Sequence, residues 1–440
     1  MKKSLFILGI ATLSACKPNL KVDAPNANGL DFSNYIAVGN SLTAGYTDGT
    51  LYRSGQINSY PNILASQFGV FGPIEFVQPL LPSETGFPAP KRVLGYSTDC
   101  TGATSLAPVF YTGIPDTAGS TINISAQGPF NNFGIPGIRT IDYLLPGYAN
   151  LAASFGFPYA KRMFTSSVWR PLDELRLNNP TFFTLWLGSN DVLGYALSGG
   201  EEVSTMPIHP NNISDPTQAR AAYDSVLYTL TRNGSKGVLL NLPDITTIPF
   251  FTTIPANGLT LDTATAAALN GAYAGTGMAF HTGANYFIIQ DIAAPAGMRQ
   301  LKKDELLLLS LPQDSLKCAG WGSMKPIPKS YVLDRDELTR ITNFTTNFNT
   351  YIATKAVSMN LPLVDINNFL RTTQTGYKYN GVLYTTQFIS GGAFALDGVH
   401  LTPRGNALVA NQIITAINGF YKTTIPLIDI HTYPGIRFPL

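Results

Sequence analysis

The chain has little with which to hold nucleic acid, metal or phosphate. Lys and Arg number 29 against 27 Asp and Glu, and charged residues make up only 13% of the whole. That balance excludes the electrostatic footprint of a nucleic-acid-binding domain. There is no Gly-x-x-x-x-Gly-Lys-Ser/Thr, no His-Glu-x-x-His and no Cys-x-x-Cys. Neither a phosphate loop nor a zinc site is suggested, and no metal or cofactor is expected. Gly-x-Ser-x-Gly is also missing, which speaks against the nucleophile elbow of the α/β-hydrolases. Nowhere do ~18 apolar residues run without interruption, so no transmembrane helix is expected.

Cysteine is scarce, and its three positions differ in kind. Cys16 ends Leu13-Ser14-Ala15-Cys16, after Lys2, Lys3 and a short apolar stretch from Leu5 to Leu13. The pattern is that of a bacterial lipobox: 1–15 as signal peptide, Cys16 lipidated, and 16–31 as a polar tether. An ordinary signal peptide is the plainer alternative. On the lipobox reading the protein is exported and anchored through its N-terminal lipid to the cell envelope. Lys17, rather than Asp, points to the outer membrane under the enterobacterial sorting rule. Cys100 and Cys318 are then the remaining thiols; in an oxidising compartment they can pair, and they can equally be two unrelated buried thiols. Four Asp-Ser/Thr-apolar tripeptides, such as Asp262-Thr263-Ala264, resemble the O-glycosylation signal of Bacteroidetes, a pattern that also arises by chance.

Hydrophobic residues reach 45%, enough for a large core. Continuous apolar runs at 35–38, 181–187, 237–242 and 361–365 read as strands buried on both faces, the signature of a parallel sheet. Helical patterns fall between them: 215–233 behind Asp215-Pro216, 334–359, and a last helix from Thr402-Pro403 with Val409, Ile413, Ile417 and Phe420 on one face. Alternating strand and helix predict a doubly wound α/β/α sandwich at 32–440. Two stretches, about 78–130 and 244–333, break the rhythm and are expected to be insertions with structure of their own.

Four short segments carry candidate chemistry. Ser41, in Gly39-Asn40-Ser41-Leu42, follows a buried strand, where ligands of open α/β sheets bind; Ser is also a common helix cap. Asp397-Gly-Val-His400 puts a carboxylate three residues before one of only four histidines, so that it can fix the imidazole tautomer; a loop-stabilising His is the alternative. Asn190, in Gly188-Ser189-Asn190-Asp191, offers an amide at a strand end, or simply a turn. Gly137 closes Asn132-Phe-Gly-Ile-Pro-Gly137, where its backbone N–H can approach a ligand closely, or where the segment is simply a turn. His209, His281 and His431 lie far apart and are read as surface or packing residues.

Taken in chain order, from Ser41 through Gly137 and Asn190 to Asp397 and His400, the four segments resemble the blocks of the GDSL/SGNH hydrolases, and Asp-Gly-Val-His-Leu-Thr-Pro-x-Gly is especially similar to that family's last block. The resemblance covers about 32–77, 130–243 and 334–421. It implies a flavodoxin-like SGNH fold and a serine hydrolase that cleaves small-molecule, lipid or glycan esters. Ser41 would be the nucleophile, His400 the base and Asp397 its orienting carboxylate, with the N–H groups of Ser41 and Gly137 and the Asn190 amide as oxyanion hole. An acyltransferase with the same triad and a non-catalytic binding lipoprotein remain as alternatives. One departure stands out: the family's Asp before the serine is here Asn40.

Overall fold

The four apolar runs pair side by side. In the computed structural model, which describes residues 24–114 and 117–438, they form β1 (Tyr35–Gly39), β3 (Phe182–Trp186), β4 (Lys236–Leu240) and β5 (Leu363–Val364). A fifth strand, β2 (Asn132–Gly134), joins the edge beside β1. The sequence does not predict this strand, because three residues ending in Gly carry no strand period. The sheet order is β2-β1-β3-β4-β5, every pair parallel. All residues of β1 and β3 are buried, which is why their apolarity is continuous rather than alternating. The signal-like segment 1–15, Cys16 and the first part of the tether lie outside the described residues. Later in that tether, Ala24, Asn26 and Asn28 hydrogen-bond to Thr424 and Tyr421.

Helices cover both faces of the sheet. A short α1 (Ser41–Ala44) follows β1, and α2 (Tyr60–Phe68) packs on α6 (Pro403–Tyr421). On the other face lie α3 (Asn190–Leu197), α4 (Pro216–Thr231) and α5 (Arg335–Ser358). Their ends follow from capping. Asp215 accepts from the N–H groups of Thr217 and Gln218, and Asp334 forms a capping box with Glu337. In α6, Val409, Ile413 and Ile417 are fully buried, but Phe420 is 40% exposed, contrary to its place in the helical period. The final turn lets Tyr421 reach the sheet instead, its hydroxyl donating to the Gly237 carbonyl at 2.9 Å.

The two irregular stretches hold local antiparallel structure. Residues 92–98 and 104–110 pair as a hairpin, with Arg92 opposite Phe110. The later stretch builds a small core of its own around Phe287, Ile289, Leu307 and Ile327. A disulfide joins Cys100, at the hairpin tip, to Cys318, and Asp99 and Lys317 form an ion pair at 2.7 Å beside it.

Candidate active site

The order β2-β1-β3 creates a switch point: the chain leaves β1 toward one edge and returns to build β3 on the other side. Loops leaving the carboxyl ends of β1 and β3 diverge there and open a crevice. Ser41 follows β1 directly, and Asn190 opens the helix after β3. The loop before α6 brings Asp397 and His400 to the same place.

His400 Nε2 lies 2.9 Å from Ser41 Oγ, and His400 Nδ1 lies 2.8 Å from Asp397 Oδ2. The carboxylate settles the tautomer. Ionised Asp397 can only accept, so Nδ1 carries the proton and Nε2 is free to accept from the serine hydroxyl. Asp397 is held by three further donors: the N–H groups of Val399 (2.9 Å), His400 (2.8 Å) and Gly49 (2.8 Å). Burial pushes its pKa up, but the facing imidazole and these hydrogen bonds outweigh that and hold it well below the usual carboxylate range. Tyr46 packs over the imidazole, ring centres 4.5 Å apart, and its hydroxyl donates to the Gly49 carbonyl.

The donors for a developing oxyanion come from three elements. Ser41 is the first residue of α1, so its N–H has no intrahelical partner. Gly137 has φ of +85°, and a Cβ there would sit 2.8 Å from the Phe157 ring; its N–H donates to no protein acceptor among the described residues. Asn190 anchors one amide hydrogen on the Ile138 carbonyl at 2.9 Å, which leaves the other available. Its neighbour Asp191 is buried and accepts from both the N–H and the hydroxyl of Thr140, so this block ties down the loop that carries Gly137. Asn40 caps α1 by accepting from the Leu42 N–H at 3.1 Å. That task needs only a carbonyl oxygen, which Asn supplies as well as Asp.

Ser41, Gly137, Asn190, Asp397 and His400 line one open cleft of about 340 Å³. A second, narrow pocket of about 40 Å³ reaches Ser41 from another side, between Leu42, Trp186, Ile245, Ile248, Leu370 and Phe394. All the candidate residues of the four segments therefore meet. His209 lies elsewhere, accepting from the Asn211 N–H and packing edge-to-face against Phe155. Among the described residues no cluster of three or more His, Cys, Asp or Glu is arranged to hold a metal. Three groups of the site went unread in the sequence: Asp48, Gly49 and Tyr46. The Asp48-Gly49 pair, flanked by the bridge between Thr47 and Thr50, was a turn signal that could have drawn notice.

A family model described as GDSL-like Lipase/Acylhydrolase matches residues 35–413. No curated protein and no solved structure matches the chain.

Proposed function

The chain belongs to the GDSL-like lipase/acylhydrolase family and is a hydrolase acting on ester bonds; from that premise we propose that Ser41, His400 and Asp397 carry out the cleavage of carboxylic esters. The observation that carries this reading is the unbroken line from Asp397 through His400 to Ser41 Oγ. Ser41 Oγ attacks the ester carbonyl while its proton passes to His400 Nε2. The carbonyl oxygen becomes an oxyanion facing the N–H groups of Ser41 and Gly137 and the Asn190 amide. Collapse breaks the bond to the alcohol oxygen, which takes the proton back from His400, and leaves an acyl-serine. Water, deprotonated by the same imidazole, then releases the acid. The narrow apolar pocket suits a short acyl group, and the open cleft the alcohol part. The export signal and lipid anchor at Cys16 belong to the same proposal, on the strength of the Leu-Ser-Ala-Cys sequence.

A fluorophosphonate probe should label the wild-type protein at Ser41 and leave Ser41→Ala unlabelled and without esterase activity. Asn190→Ala should keep its melting temperature and KM while kcat falls ~10²–10³-fold, the usual cost of one lost oxyanion donor. Labelling at another residue would remove Ser41 from its role. An Asn190→Ala enzyme of lower stability but normal turnover would make Asn190 a turn residue only. Product analysis with and without an added alcohol distinguishes hydrolysis from acyl transfer.

A further inference from the structure

We propose that Arg92 is a specificity residue that binds an anionic group on the alcohol part of the ester, so that the substrate is the ester of an acidic hydroxyl compound. The proposal rests on the reading of Ser41 as nucleophile and adds the chemistry of what is cleaved. Arg92 begins the hairpin at 92–110, outside the segments that resemble the family, and its side chain lines the same cleft as Ser41 and His400. It is part-buried there. Its backbone N–H donates to the Asp48 carbonyl at 2.8 Å, and its guanidinium sits 5.6 Å from the Phe110 ring centre. It also rests against Gly49, where any side chain would run into it.

A guanidinium so placed would be expected to have a carboxylate partner, yet its side chain makes no hydrogen bond or ion pair among the described residues. The acids around it are already satisfied. Asp397 accepts four hydrogen bonds, two on each oxygen, which fills a carboxylate's capacity. Asp48 accepts from the Tyr52 hydroxyl at 2.7 Å and from the Leu396 N–H at 3.0 Å. Glu84 faces Lys91 at 3.6 Å and accepts from Ser54. Arg92 is thus a fixed, forked cation with donors to spare at the edge of a catalytic cleft, and planar anions are what that fork fits.

The side of the substrate follows from the shape. The pocket that reaches Ser41 away from Arg92 is narrow and apolar, which suits the acyl group. Arg92 lies in the open cleft and also borders an adjoining cavity of about 340 Å³, lined by Lys91 and the exposed Arg437 as well as by Asp48 and Glu84. The alcohol part can therefore run from Ser41 past Arg92 into a polar space where three cations face two carboxylates.

The test compares 4-acetoxybenzoate and 4-acetoxyphenyl phosphate with the neutral 4-acetoxybenzamide, each rate divided by its hydroxide-catalysed rate. In the wild-type protein kcat/KM should favour at least one charged ester tenfold or more, and the advantage should shrink with added NaCl; whichever is favoured identifies carboxylate or phosphate. Arg92→Met should bring the charged-to-neutral ratio close to one, and Arg92→Lys should retain part of it. A wild-type ratio near one, or a ratio unchanged in Arg92→Met, overturns the proposal. So does an equal loss on charged and neutral esters, which would make Arg92 structural. Preference for an aryl hemisuccinate over the aryl butyrate, with none for a charged alcohol, would overturn its placement. If Arg92→Met does not fold, the wild-type ratio and its salt dependence still decide. Ester turnover without charge preference sinks this proposal alone, whereas turnover persisting in Ser41→Ala sinks the esterase reading beneath it.

Discussion

At Asp397 a single carboxylate gathers donors from two places in the chain: its own turn, through Val399 and His400, and Gly49, which lies 348 positions away. Its charge is therefore part of the fold as well as of the site. The folded-state pKa is depressed relative to the ~3.9 of an unfolded Asp. A depressed acid adds stability that is fully present above the unfolded pKa and is lost progressively as pH falls from there through the folded pKa. Thermal melts of wild type and Asp397→Asn from pH 7 to pH 3 should differ by a steady amount down to about pH 4, and the gap should begin to narrow below it. A gap that stays constant over that range would mean that ionisation of Asp397 is not linked to folding. The variant should also lose about 10³–10⁴-fold in kcat, since an amide no longer dictates which imidazole nitrogen carries the proton.

Among the elements, the hairpin at 92–110 has the least of its own to hold it. Most of its residues are exposed or part-buried, and it touches the body mainly through its base and its tip. At the tip, the Cys100–Cys318 disulfide and the Asp99–Lys317 pair bind it to the later insertion. That insertion in turn supports the catalytic turn, as Phe250 donates its N–H to the Gly398 carbonyl at 2.9 Å. Closing so long a loop is worth ~2–4 kcal/mol in typical cases, so reduction should lower the melting temperature. The exposed ion pair beside it adds little. Alkylation of the unreduced, denatured protein should leave Cys100 and Cys318 unmodified. Modification of both would show that the bridge does not form.

On the scale of the whole molecule, a sheet buried on both faces presents one crevice, and the insertions shape its rim. Membrane attachment is proposed through a single residue outside this body. Cys16→Ser should move the protein from the membrane fraction to a soluble or unprocessed form. Continued membrane partition, with the precursor cleaved normally elsewhere, would exclude the lipobox.

Much of the design is local and was therefore legible in the sequence. Strands buried on both faces must be apolar throughout, so β1, β3, β4 and β5 announced themselves; the helix starts at Asp215-Pro216 and Thr402-Pro403 did so through capping chemistry. Ser41, Asn190, Asp397 and His400 each follow a strand or precede a helix in a short block that a cap, a turn or a loop would also explain, and it was their combination and order along the chain that made them stand out. Their meeting was not legible from spacing alone, since Ser41 and His400 lie 359 positions apart and only the sheet order brings their loops together. The strand β2 escaped notice because three residues carry no period. Arg92 and Gly49 escaped for a different reason. Asp48-Gly49 reads in the sequence as a turn and no more, and nothing beside Arg92 in the chain marks it; their roles come from what packs against them, and an ionisable side chain left without a partner is a property of the folded neighbourhood, which exists only once the hairpin, the Asp48-Gly49 turn and the catalytic loop have come together.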